Sequence, residues 1–138
     1  MSDLNKLYDP VIRAHQSNPY HFKKVTDAPN TVKAYNPICG DRYDFFPDVK
    51  DGVIHSFYFH GFGCAVSMAA GSLLAKSLEG KTIEEAIDLC TAYLGMLSGK
   101  SVSPNAEWNA FSVVRDFPSR HDCAAMAWEE ILKFLKNL

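Results

Sequence analysis

Apolar residues recur along the chain with two different periods, and the switches between them lay out the elements. Leu4, Leu7, Tyr8, Val11 and Ile12 follow helical spacing until Asn18-Pro19 stops the segment. A polar stretch through Thr26-Asp27-Ala28-Pro29-Asn30 reads as loop, and Thr31 to Tyr35 as a short strand ending at Asn36-Pro37. Arg42 to Lys50 and Val53 to His60 then flank Asp51-Gly52. That pair is a hairpin signal, because both turn positions need positive φ. Strict alternation in the second strand sets Val53, His55, Phe57 and Phe59 on an apolar face and Ile54, Ser56, Tyr58 and His60 on the other. His55 is thereby expected as a satisfied core histidine.

From Cys64 to Leu78 the small and apolar residues predict a buried helix ending near Gly80. Thr82-Ile83-Glu84-Glu85 is a capping-box pattern that starts another helix. Its expected apolar stripe is Ile83, Ala86, Ile87, Cys90, Leu94 and Leu97. A turn between Ser98 and Pro104 leads to a short helix over Asn105 to Val114. Pro118 interrupts the next stretch, and a final helix is expected from about Cys123, with Ala127, Trp128, Ile131, Leu132 and Leu135 as its core face. Three strands followed mostly by helices indicate an α+β fold, a three-stranded antiparallel sheet packed against helices. With 138 residues and no repeat or linker, residues 1–138 are expected as one domain.

Composition narrows the function classes. Apolar residues make up 47% and charged residues 22%, ordinary for a globular protein. A net charge of -2 with no basic run gives no electrostatic support for a nucleic-acid partner. No apolar stretch reaches the roughly 18–20 residues that span a bilayer, so no membrane association is expected. The segment Met1-Ser2-Asp3-Leu4-Asn5-Lys6 lacks the apolar run of a signal peptide, and a cytoplasmic location is expected. In a reducing cytosol the 4 cysteines are expected as thiols, leaving metal binding or thiol chemistry to explain them.

Three of the four sit in unlike, chemically suggestive surroundings. Cys39, in Cys39-Gly40-Asp41, reads as an exposed turn cysteine, either idle or a ligand sharing a metal with the Asp41 carboxylate. Asp41 reads equally as a turn aspartate bonding nearby amides. Cys64, in Gly61-Phe62-Gly63-Cys64, stands where a glycine turn enters a helix. Unpaired N–H groups there favour a thiolate; the alternative is a small residue packed under the hairpin. Cys123, in Arg120-His121-Asp122-Cys123, is expected to open the last helix and gain from the same dipole, with Arg120 one turn away to stabilise a thiolate or persulfide anion. Cys90 falls on a core stripe and reads as structural. His15 and His21 follow no metal spacing, and His60 and His121 matter only as neighbours of Cys64 and Cys123.

Asn36-Pro37-x-Cys39-Gly40-Asp41-Arg42, Gly61-Phe62-Gly63-Cys64-Ala65-Val66-Ser67, Gly80-Lys81-Thr82 and the late Cys123 together resemble the NifU N-terminal/IscU-like family of iron–sulfur cluster assembly proteins. The resemblance spans nearly the whole chain, and within the family it is closer to the SufU branch. Phe117-Pro118-Ser119-Arg120-x-x-Cys123-Ala124 and Trp128 are similar to the SufU pattern. The stretch between Cys64 and Cys123 is longer than in IscU scaffolds, with the extra residues placed around Ser98 to Asn109. Asp122 stands where IscU scaffolds carry a histidine, and only Pro118 remains of their proline pair. His121 and Asp122 also depart from the usual SufU residues, and Ala14 replaces an acidic residue that commonly precedes the first-helix histidine, here His15.

The resemblance implies an IscU/SufU-like fold and a zinc site of Cys39, Asp41, Cys64 and Cys123. It implies a zinc-dependent sulfurtransferase that takes persulfide sulfur from a cysteine desulfurase of the SufS type and passes it to downstream cluster-assembly proteins. Cys39 is then the acceptor, Asp41 the labile ligand, and Arg120 the stabiliser of the anion. The alternative it implies is a scaffold that builds and hands over a transient [2Fe–2S] cluster on the same four residues.

Overall fold

The computed structural model describes residues 9–138. Helix α1 (Pro10–Ser17) starts where Asp9 accepts the Val11 amide through Oδ1 at 2.8 Å and Pro10 occupies the first helical position. It keeps Val11 and Ile12 from the predicted stripe; Leu4, Leu7 and Tyr8 lie outside the described residues.

The sheet follows as β1 (Val32–Asn36), β2 (Asp41–Lys50) and β3 (Val53–Phe62), antiparallel in the order β1-β2-β3. Asp51 and Gly52 take φ of 54° and 74°, the double positive φ that the Asp-Gly turn predicts. A bulge then changes the phase of β3. Asp48 pairs with Ser56 and Val49 with Ile54, so His55 is the unpaired extra residue. Ile54 is thereby brought into the core with Phe57 and Phe59, while His55 is exposed. The expectation of a core histidine fails because strict alternation does not survive a bulge. The free edge of β3 is covered by residues 21–23, where the Lys23 amide donates to Phe59 O at 2.9 Å.

Helix α2 (Ala65–Leu78) lies across the sheet, buried on nearly all sides; a Cβ added at Gly71 would stand 3.0 Å from the Phe59 ring. Helix α3 (Ile83–Leu97) begins with the full capping box of Thr82 and Glu85. It buries Ala86, Cys90, Tyr93, Met96 and Leu97, so the stripe is rotated from the predicted one: Tyr93 and Met96 face inward while Ile83, Ile87 and Leu94 are only half-buried. A short α4 (Ala106–Asn109) runs into a 3-10 helix, Ala110–Asp116.

Helix α5 (Pro118–Lys136) starts five residues before the expected position. Pro118 opens this helix rather than interrupting the chain, since the first helical residue has no intrahelical use for an N–H. Ala127, Trp128, Ile131 and Leu135 are buried as predicted, Leu132 only partly. Trp128 stacks on Tyr93 at 3.8 Å between centroids, meets Trp108 edge-on, and donates Nε1–H to Ala70 O at 3.1 Å. With α5 against β1 and α2 against β3, one face of the sheet is closed and the thiol-bearing segments are held at one end. No helix among the described residues is long and apolar enough to cross a membrane.

Candidate metal centre

The β1–β2 turn holds Cys39 out to solvent. Gly40 takes φ +74° and donates its amide to Asn36 O at 2.8 Å, while the Ile38 amide donates to Asn36 Oδ1 at 3.2 Å. Cys39 and its neighbour Ile38 are both exposed. Two residues on, Asp41 is 0% exposed. Its Oδ1 accepts the Cys64 amide at 2.8 Å, and its Oδ2 is buried without a partner among the described residues. A buried carboxylate oxygen with nothing to accept from is costly, and a cation is what such an atom suits. It does not act as a turn aspartate: it is the first residue of β2, and the amide it takes is 23 residues away.

Gly63 makes room for that carboxylate. A Cβ there would stand 2.4 Å from Ser67 Oγ, 2.5 Å from Asp41 Oδ1 and 2.6 Å from Tyr43 Oη. Cys64 is the N-cap of α2: its Sγ accepts the Ser67 amide at 3.4 Å, and Ser67 Oγ donates to Cys64 O at 3.0 Å. The neighbouring Cys123 thiol, which donates to it, and the Ser67 amide together lower the Cys64 thiol to about 6 against the opposing effect of burial. A thiolate at this helix mouth is therefore what the fold favours.

Cys123 differs from its sequence reading. It lies in the second turn of α5, because that helix begins at Pro118, so its position is not the dipole-stabilised helix mouth. It is 1% exposed, and donation to Cys64 together with burial pushes its thiol far above the ordinary range. Its Sγ also lies 3.6 Å from Cys39 Sγ, and it receives the Asn36 side-chain amide at 3.8 Å. Arg120, one turn earlier on α5, places Nη1 4.0 Å from Cys39 Sγ.

Ligand atoms of Cys39, Asp41 and Cys123 all lie within 4.8 Å of one another. That group does not include Cys64, which borders it through its contacts with Asp41 and Cys123. Cys90 is remote in kind: fully buried on α3, its thiol is pushed up to about 12 by burial alone. His60 is exposed, and His121 meets Asp122 only at 3.7 Å. Sequence reasoning passed over Asn36, Tyr43 and Ser67. Tyr43 Oη and Ser67 Oγ are 2.8 Å apart and line the Asp41 cradle, and burial raises the Tyr43 phenol so that it stays neutral. The signal for them was their place in the sequence: Asn36 and Ser67 are members of the two cysteine motifs, and Tyr43 directly follows the first.

The NifU-like N terminal domain model matches residues 7–137. The chain belongs to that family. It is 31% identical over 135 residues to the zinc-dependent sulfurtransferase SufU of Bacillus subtilis strain 168, covering 96% of this chain and 91% of that one. It is 30% identical over 140 residues to the iron–sulfur cluster assembly scaffold protein IscU of Streptococcus pyogenes serotype M1, covering 99% and 87%. The crystal structure of FiSufU from Fervidobacterium islandicum AW-1, described as an iron–sulfur cluster assembly scaffold protein for the SUF system, superposes with a TM-score of 0.87 at 24% identity, over 96% of this chain and 98% of that one. The resemblance carried by the two cysteine motifs is thus confirmed, and so is the α+β fold it implied.

Proposed function

We propose that this protein works in iron–sulfur cluster assembly as a SufU-type, zinc-dependent sulfur relay. The observation that carries the reading is a buried, half-unpartnered Asp41 carboxylate grouped with thiols of which Cys39 is the exposed one. The similarity to a zinc-dependent sulfurtransferase supports it. Three sulfurs and one oxygen are a donor set that suits zinc, so Cys39, Asp41, Cys64 and Cys123 are assigned as its holders. Bound there, zinc supplies redox-inert Lewis acidity that keeps thiols as thiolates.

The chain's own residues define the transfer. The Cys39 thiolate attacks the outer sulfur of a cysteine persulfide on a desulfurase of the SufS type. A new S–S bond forms to Cys39, the donor's S–S bond breaks, and the donor cysteine leaves as thiolate. No electrons are gained or lost overall. Arg120, within 4.0 Å of Cys39 Sγ, steadies the anion, and the buried Cys123 stays out of the donor's reach. A downstream cluster-assembly protein then takes the sulfur from the exposed turn. Cytoplasmic work with these partners accords with this reading.

A second reading, a scaffold carrying a [2Fe–2S] cluster as cargo, is supported by the similarity to IscU of Streptococcus pyogenes. Metal and acid-labile sulfide in protein purified without oxygen separate the two. One zinc per chain without sulfide is expected; iron with matching sulfide would assign the scaffold. In desulfurase turnover, Cys39→Ala is expected to abolish stimulation, and undiminished stimulation would remove Cys39 as acceptor.

A further inference from the structure

One residue that is not itself a candidate ligand touches the placement of three that are. Asn36 ends β1 and pairs across the sheet with Asp41, fixing the register of that carboxylate. Its backbone oxygen takes the Gly40 amide at 2.8 Å and its Oδ1 takes the Ile38 amide at 3.2 Å, so both bonds close the turn that carries Cys39. Its remaining side-chain donor, Nδ2, points at Cys123 Sγ at 3.8 Å. The side chain is buried, 7% exposed, and carries no charge that would alter the balance of the site.

We propose that Asn36 is a positioning residue that keeps transferred sulfur on Cys39 rather than on the adjoining Cys123. Its N–H draws electron density from Cys123 sulfur, making that thiol the poorer nucleophile and the one that stays in place. Cys39 receives no such amide; its side-chain hydrogen-bond contacts among the described residues are Cys123 and Arg120. The same amide spans the 87 residues of sequence between the turn and α5 and holds the two sulfurs in contact. The proposal rests on the relay reading for its sulfur-transfer consequence, but its structural part does not.

The test separates the turn from the donor. Serine accepts an i+2 amide as asparagine does, yet its side chain ends one bond short of where Nδ2 begins. Asn36→Ser therefore keeps the turn and loses the bond to Cys123, whereas Asn36→Ala loses both; Asn36→Thr replaces the serine variant if it fails to fold. Three readouts are taken: thermal midpoint, the thiolate-to-cobalt charge-transfer band on Co²⁺ titration, and peptide mapping of transferred sulfur after desulfurase turnover.

Asn36→Ser is expected to melt with the parent but show the charge-transfer band at longer wavelength. Co²⁺ affinity should fall about tenfold, the lower end for loss of a hydrogen bond to a ligand. Part of the sulfur should pass on from the Cys39 persulfide to Cys123, 3.6 Å away: an S–S bond forms to Cys123, that of Cys39 breaks, and Cys39 leaves as thiolate. A parental band and sulfur wholly on Cys39 in Asn36→Ser, with changes only in Asn36→Ala, would reduce Asn36 to a turn residue and overturn the proposal. If the parent carries no sulfur on Cys39, the relay reading falls, and the cobalt comparison still decides the role of Asn36.

Discussion

Replacing Gly63 by alanine would put a methyl carbon 2.5 Å from Asp41 Oδ1 and 2.6 Å from Tyr43 Oη. Ser67 Oγ can rotate away, but the carboxylate and the phenol are both buried and have nowhere to go. Overpacking of this kind costs about 1–3 kcal/mol, and here part of the cost falls on Asp41, the proposed oxygen ligand. Gly63→Ala is expected to weaken the proposed zinc binding by about tenfold or more in competition with a chromophoric chelator; parental affinity would refute the cradle. Cys39, Asp41 and Cys64 were legible as candidates because glycine turns beside thiols are local motifs. The parts played by Asn36 and Gly63 were not. Each depends on atoms that only the fold brings near, Cys123 for one and the Asp41, Ser67 and Tyr43 side chains for the other.

Elements were legible as far as their signals were local. The Asp51-Gly52 turn and the Thr82 capping box specify themselves within a few residues, and both appear as read. The bulge at His55 and the start of α5 were not legible. A bulge is a two-strand property, and a proline can equally end one segment or begin another. The joint between α2 and the sheet was hidden for the same reason. Glu79, just past α2, accepts from Tyr20 Oη at 2.6 Å, His21 Nδ1 at 2.9 Å and the Phe57 amide at 2.9 Å. Glu79→Ala leaves the Phe57 amide without its partner and is expected to cost about 2–3 kcal/mol in urea unfolding. The Tyr20 phenol, held at about 12 chiefly by its bond to Glu79, should fall back toward its ordinary 10 in an ultraviolet titration. A Tyr20 titration identical to the parent's would sever that link.

Across the whole molecule the core carries acids that the fold keeps neutral. Burial raises the Cys90 thiol from 9.0 to about 12 and raises the Tyr93 phenol well above 10.0. A folded-state value above the unfolded one means that the unfolded chain releases its proton first as pH rises. The stability these groups lend is complete below pH 9 and drains away between 9 and about 12 for Cys90. Unfolding free energy is expected to decline from pH 8.5 upward, with a shallower decline in Cys90→Ala; equal slopes would clear Cys90 of the effect. The same core has a practical consequence midway along α5. Trp128 lies five residues beyond Cys123 on one rigid helix, about 7.5 Å of rise, and Trp108 leans against it. Trp128 thus sits midway along the helix that carries the buried thiol, and the chain's 2 tryptophans meet there. Emission from this pair is expected to change when the proposed centre is filled, which a metal titration followed by fluorescence checks without a dye.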